Sequence, residues 1–308
     1  MNEKDYLNCV VPTAGMMLPL IRCVEEKYKN TILNPAIKEQ RDWMLKVHPA
    51  VTSSLLPTVI HSEKDTEDWV LNVIWRPAAA ALCVGEARTY KNKIGAFPNM
   101  TSCSGGGAGA AIPDAMLWSS ETVYDALLEI KTHAAFIDTT SSSDSKTFDH
   151  LWTWPDMPPG YGIRFVWGET GETGGDKADK MIAQVWVQMV KHNINYAALT
   201  NYNSVIFFIR RDQTLYLSRE YLRVEYPIKA PEAKVNTMSI AVFAFIAYVT
   251  GSIPKDTLTL PQLRENWWTE IKAGTAETPG LDRTSIFKAA SGEPNPAKSA
   301  SRTPHILT

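Results

Sequence analysis

Long hydrophobic runs, paired cysteines and a surplus of charge are all missing from this chain of 308 residues. Its most apolar stretch, Met238 to Thr250 (MSIAVFAFIAYVT), falls short of the roughly 18 residues that suggest a membrane span, and reads as a buried helix. Cys9, Cys23, Cys83 and Cys103 are scattered, with no CxxC pair and no histidines at zinc-finger spacing, which argues against a structural zinc site. The opening MNEKDYLNCVV lacks the basic and apolar regions of a secretory signal. The expectation is therefore an intracellular protein with reduced cysteines, nucleus and cytoplasm not being distinguished. A net charge of -2 exerts no global pull on polyanions, so any contact with nucleic acid has to rest on a local basic surface. The glycine-rich segment Ser104 to Gly109 has no GxxxxGK[ST] lysine, and no GxSxG occurs, which removes P-loop and nucleophile-elbow chemistry. No internal repeat is visible, and solenoids and propellers drop out with it.

What is present alternates helical stretches with strand candidates, the rhythm of an α/β protein. Residues 1–61 carry short helical stretches broken by Pro12, Pro19, Pro35, Pro49 and Pro57, and read as a helical N-terminal extension. Ser62 is a helix N-cap: acidic Glu63, Asp65, Glu67 and Asp68 fill the first turns, apolar Trp69, Val70, Val73 and Ile74 follow, and Pro77 ends or bends the helix. A loop of small residues leads to strands at 115–118 and 127–132, joined by a short link containing Tyr124 and Asp125, so the two should pair. An insertion near 138–160 precedes a strand at 161–167 and a helix at 176–192 whose stripe is Met181, Ile182, Val185, Trp186, Met189 and Val190. Three strands follow at 196–200, 205–210 and 214–218, closing the core domain at 62–273, and the Pro- and Ser-rich tail 274–308 reads as disordered.

Chemistry concentrates on the two central strands. Side chains two apart on a strand share a face, so Glu129 and Lys131 point together while Ile130 points into the core. Pairing with the preceding strand brings Asp114, at its start, towards Glu129, and two carboxylates suit a hard cation. Five acid-x-Lys tripeptides occur, starting at Glu25, Glu129, Asp144, Glu232 and Glu270, so the tripeptide alone decides nothing. Glu129 alone combines an aliphatic strand frame, a short link after Pro113-Asp114, and a glutamine-bearing helix downstream.

In this order, Pro113-Asp114 followed by Glu129-Ile130-Lys131, the chain resembles the PD-(D/E)XK nuclease superfamily of restriction-endonuclease-like and RecB-like proteins, over roughly residues 62–218. The resemblance implies an α/β fold with a mixed central sheet flanked by helices, a restriction-endonuclease-like core, and a Mg²⁺- or Mn²⁺-dependent nuclease hydrolysing phosphodiester bonds, with DNA preferred over RNA as the partner. It assigns Asp114, Glu129 and the Ile130 carbonyl as metal ligands, and gives Lys131 the attacking water and the growing phosphate charge. Glu63 or Glu67 completes the site, with Glu86 as an alternative, and Gln184, which shares a helix face with Gln188, reaches the metal water or a substrate phosphate. Arg88, Lys91 and Lys93, and separately Arg210, Arg211, Arg219 and Arg223, are candidates for phosphate contact, and Trp152, Trp154 and Tyr161 for base stacking. A catalytically inactive nuclease-like module that binds nucleic acid or protein is the competing reading. Double-strand cutting would call for two sites, hence a dimer or two successive nicks.

Overall fold

The computed structural model describes residues 5–30, 36, 60–86, 98–103, 111–136, 148, 151, 161–168, 176–223, 237–263 and 279–288. They form a mixed α/β structure around a sheet of ten strands. The strands are β1 (Cys9–Pro12), β2 (Asn99–Ser102), β3 (Ala115–Trp118), β4 (Tyr124–Ile130), β5 (Tyr161–Val166), β6 (Tyr196–Thr200), β7 (Ser204–Arg211), β8 (Thr214–Leu217), β9 (Tyr221–Leu222) and β10 (Gly280–Lys288). Their order across the sheet is β10-β5-β1-β8-β7-β6-β4-β3-β2, with β9 paired to the start of β7. The pairs β1/β8 and β4/β6 are parallel and the other neighbours antiparallel.

Strands buried on both faces read as continuous apolar runs, and the central strands do so here. In β7, Val205, Phe207 and Ile209 enter one core while Ile206 and Phe208 enter the other. The first core is covered by α1 (Leu18–Tyr28), α2 (Glu63–Val70), α3 (Arg76–Gly85) and α5 (Thr237–Val249); the second lies under α4 (Lys177–Lys191). Trp186 fills the second core with its indole N–H donating to the Asp5 carbonyl. The apolar run near residue 240 is α5, packed through Phe245 against Trp75 and Phe207. Among the described residues, no helix is long and apolar enough to cross a membrane.

Two features correct the expected organisation. The helical N-terminal extension at 1–61 is not borne out: β1 lies inside the sheet between β5 and β8, and α1 rests on the first core. Cys9, Val10 and Val11 alternate between the two cores, a placement that the surrounding prolines conceal in the sequence. The tail expected to be disordered contains β10, an edge strand on β5, so order extends at least to residue 288. Smaller shifts have local causes. β4 starts at Tyr124 because Tyr124 and Asp125, expected in the link, already pair the strand or continue it. Pro77 does not end the helix that begins after Ser62; a π-helical turn at Leu71–Trp75 lies just before it, an i→i+5 irregularity in the ladder at the point where the proline lacks its N–H, and the chain continues as α3. The 138–160 insertion, apart from Phe148 and Leu151 in the second core, lies outside the described residues.

The docking of β10 depends on one glycine. Gly280 has φ +118°, and a Cβ there would land on the Asp179 carboxylate, with Cγ only 2.9 Å away. Gly280→Ala is expected to destabilise the protein by about 1–3 kcal/mol from backbone strain alone, read as a lower urea midpoint at unchanged slope. An unchanged midpoint would show that β10 adds nothing to the cooperative unit.

Candidate active site

The site grows out of strand register. Ala115 of β3 faces Leu128 of β4, so Asp114, one residue earlier, sits opposite Glu129, one residue later. Asp114 Oδ2 accepts the Ile130 N–H at 2.6 Å, which fixes its carboxyl group against the β4 backbone. Beyond Ile130, the Lys131 N–H donates to the Thr200 carbonyl at 2.9 Å, continuing the parallel β4/β6 ladder to the end of β4. The acid and the amine therefore share one face at the C-terminal end of β4, an interior strand between β6 and β3, while the Ile130 side chain is in the first core.

Glu129 is only 2% exposed, which a solvated strand face would not produce. A buried carboxylate has to be compensated by partners, and Glu129 has three polar contacts around its two oxygens. Lys131 forms an ion pair with Oε1, Gln184 Nε2 donates to the same oxygen, and Gln188 Nε2 donates to Oε2 at 2.6 Å. Gln188 Nε2 also donates to the Ile112 carbonyl at 3.2 Å. Lys131, with its side chain 20% exposed, reaches from Glu129 to Glu63 Oε1 at 3.1 Å.

Glu63 is delivered by the start of α2. Ser62 is its N-cap and forms a reciprocal capping box with Asp65: the Ser62 side chain accepts from the Asp65 N–H at 3.1 Å, and Asp65 Oδ2 accepts from the Ser62 N–H at 3.0 Å. Further along, Arg223 stacks over the Trp69 ring at 4.3 Å and Trp69 meets Tyr202 edge-on, tying α2 to the β6–β7 turn. Arg223 N–H donates to the Asn203 carbonyl at 2.7 Å, so this tie lies at the same end of the sheet as Lys131.

No family model, curated protein or solved structure matches the chain. Burial, and next the charge of Glu129, push the Asp114 carboxyl up to about 7, against the Ile130 N–H and Lys131, which pull it down. Burial also opposes the Lys131 ammonium, but Glu129, Glu63 and Asp114 outweigh it and hold its pKa above the ordinary value. The result is a poorly solvated pair of carboxylates under electrostatic pressure beside a permanently charged amine. That pressure is relieved by a proton or by a cation.

Among the described residues, no group of three or more His, Cys, Asp or Glu side chains forms a metal cage. The donor set suits a different kind of site: Mg²⁺ is commonly held by one or two carboxylates and keeps several waters. Asp114 and Glu129 are hard oxygen donors of that kind, and the Ile130 carbonyl is the adjacent backbone oxygen.

Asp114, Glu129, Lys131, Glu63 and Gln184 are thus brought together. Glu67 takes a different place: it pairs with Lys64 at 3.0 Å, although its charge still bears on Cys103, whose N–H donates to the Asp114 carbonyl. Glu86 is excluded from the site, since Lys27 at 2.6 Å and the Tyr28 hydroxyl engage it where α1 meets the end of α3. Arg210 bonds Asn195 and Asn193 at the far end of β6 from Lys131, with Arg211 beside it, whereas the strand direction carries Arg219 and Arg223 back towards the site. Arg88, Lys91, Lys93, Trp152, Trp154 and the glycine segment 104–109 lie outside the described residues. Gln188, which the resemblance leaves without a role, joins the cluster around Glu129 as well, and its spacing of four from Gln184 puts it on the same helix face.

Proposed function

We propose that the protein is a metal-dependent nuclease that hydrolyses phosphodiester bonds, with DNA as the preferred substrate. The observation that carries this reading is the buried Glu129 carboxylate, paired with Lys131 and set opposite Asp114 by the β3/β4 register. The order of elements supports it: an acidic helix, the β2-β3-β4 meander, a glutamine-bearing helix, and β6 returning parallel to β4. The acidic helix, the two paired strands β3 and β4 and the later helix carrying Gln184 and Gln188 are the parts on which the resemblance to PD-(D/E)XK nucleases rests.

Asp114 and Glu129, with the Ile130 carbonyl, would hold Mg²⁺ or Mn²⁺. The bound ion supplies positive charge to the phosphate oxygens and makes a coordinated water easier to deprotonate. Lys131 positions the attacking water through its ammonium and stabilises negative charge as it grows on the phosphate. Glu63 holds Lys131 from the solvent side, and Gln184 fixes the Glu129 carboxylate in place. Arg219 and Arg223 give cationic groups at the same sheet end for the flanking phosphates.

Purified protein incubated with single- and double-stranded DNA and RNA tests this directly. Cleavage is expected with Mg²⁺ or Mn²⁺, with none after chelation and none by Asp114→Asn. Tight binding without cleavage would favour the silent binding module instead, and cleavage that survives Asp114→Asn would overturn the site.

A further inference from the structure

The glutamines on α4 do more than decorate one carboxylate. Gln184, Gln188 and His192 follow each other at intervals of four and form a polar stripe on one side of a helix that is otherwise packed in the second core. Each contacts the site framework. Gln184 meets Glu129, Gln188 meets both Glu129 and the Ile112 carbonyl, and His192 Nε2 lies 3.2 Å from the Ala111 carbonyl. The stripe therefore spans β4 on one side and the segment leading into Asp114 on the other.

We infer that Gln188 is a positioning residue that sets the separation of the two carboxylates by clamping Glu129 to the chain just before Asp114. This rests on the metal-site reading given above. Gln188 is 1% exposed, and its single amide nitrogen donates both to Glu129 Oε2 and to Ile112, two residues before Asp114. A carboxylate and a carbonyl only accept, so the NH₂ end must face them. The amide oxygen has no hydrogen-bond partner among the described residues, which leaves the nitrogen as the only end that holds anything there. Without it, Glu129 keeps Lys131 and Gln184, both on Oε1. Oε2 then loses its orientation, and Ile112 loses its tie to Glu129, leaving the Ile130 N–H to hold Asp114 against β4. Removing outer partners of this sort weakens metal binding by about 10- to 100-fold.

The test is a Mn²⁺ titration of the full chain, followed by electron paramagnetic resonance, on wild type, Gln188→Met and Gln188→Asn. Methionine keeps the volume and removes the donor; asparagine keeps the amide and withdraws it by one methylene. Both variants are expected to bind Mn²⁺ about 10- to 100-fold more weakly, with cleavage recovering as Mn²⁺ is raised. Rescue by metal separates positioning from a general loss of structure, which extra metal would not repair. If wild type binds Mn²⁺ and both variants bind it equally well, the positioning role is overturned while the metal site stands. If Asn retains wild-type affinity and only Met loses it, polarity rather than reach matters and the clamp is also overturned. No Mn²⁺ binding by wild type would bring down the metal-site reading and the clamp with it.

Discussion

Lys131→Met will lose both activity and stability, and the double variant Glu129→Gln/Lys131→Met will regain only the stability. Removing a charged group that stabilises a transition state costs about 10²- to 10³-fold in rate. Lys131 also neutralises a carboxylate that is 2% exposed, and leaving such a charge unpaired costs about 3–5 kcal/mol. The single variant alone cannot tell a catalytic role from a structural one. Replacing Glu129 by glutamine as well removes the stranded charge, and a buried ion pair exchanged for neutral groups is often close to neutral overall. The double variant is therefore expected within about 1 kcal/mol of wild type in urea unfolding, yet inactive.

A double variant no better than the single one would show that the Glu129–Lys131 pair is not what holds the end of β4 in place.

The sheet was legible where pattern and burial coincide. Strands 196–200 and 115–118 and the helix at 177–191 lie where alternation, turn residues and the Asp176 cap put them, because each follows from a local rule. β1 and β10 were not legible for the opposite reason: both are short or interrupted apolar segments whose partner, β5, is far away in sequence, and flanking Pro, Ser and Gly dominate the local composition. Long-range pairing decided them. The candidate site shows the same division. Glu129 and Lys131 share a face by strand geometry alone, and Asp114 joins them by hairpin register, so all three were readable from spacing. The choice of Glu63 over Glu67 was not, since the two lie one turn apart and only the lean of α2 against β4 selects the one that reaches Lys131. Nor could spacing show that Gln184 would be turned onto Glu129, because that depends on how α4 packs across the second core.

Metal and proton should compete at Asp114, and the competition will be visible in thermal unfolding. In the folded chain its carboxyl is raised from 3.8 to about 7, first by burial and next by the charge of Glu129. Between about pH 4 and pH 7 the folded protein therefore holds a proton that the unfolded chain has lost, and stability falls as pH rises through that window. Since a tenfold change in proton affinity is worth about 1.4 kcal/mol, the penalty above pH 7 has an upper bound of about 4 kcal/mol, reduced by the part of Asp114 that water reaches. Lys131 titrates above its ordinary 10.5 and adds no slope in this range. A divalent ion needs the deprotonated carboxylate, so Mg²⁺ at about 100 times its Kd should restore about 2.7 kcal/mol at pH 8 and almost nothing at pH 5. Asp114→Asn should abolish both the slope between pH 4 and 7 and the response to Mg²⁺. A Mg²⁺ shift of equal size at pH 5 and pH 8, or one that persists in Asp114→Asn, would place the ion elsewhere on the protein. A slope that survives the substitution would mean that another buried group, Asp125 being the first candidate because burial also raises its pKa, titrates in that window instead.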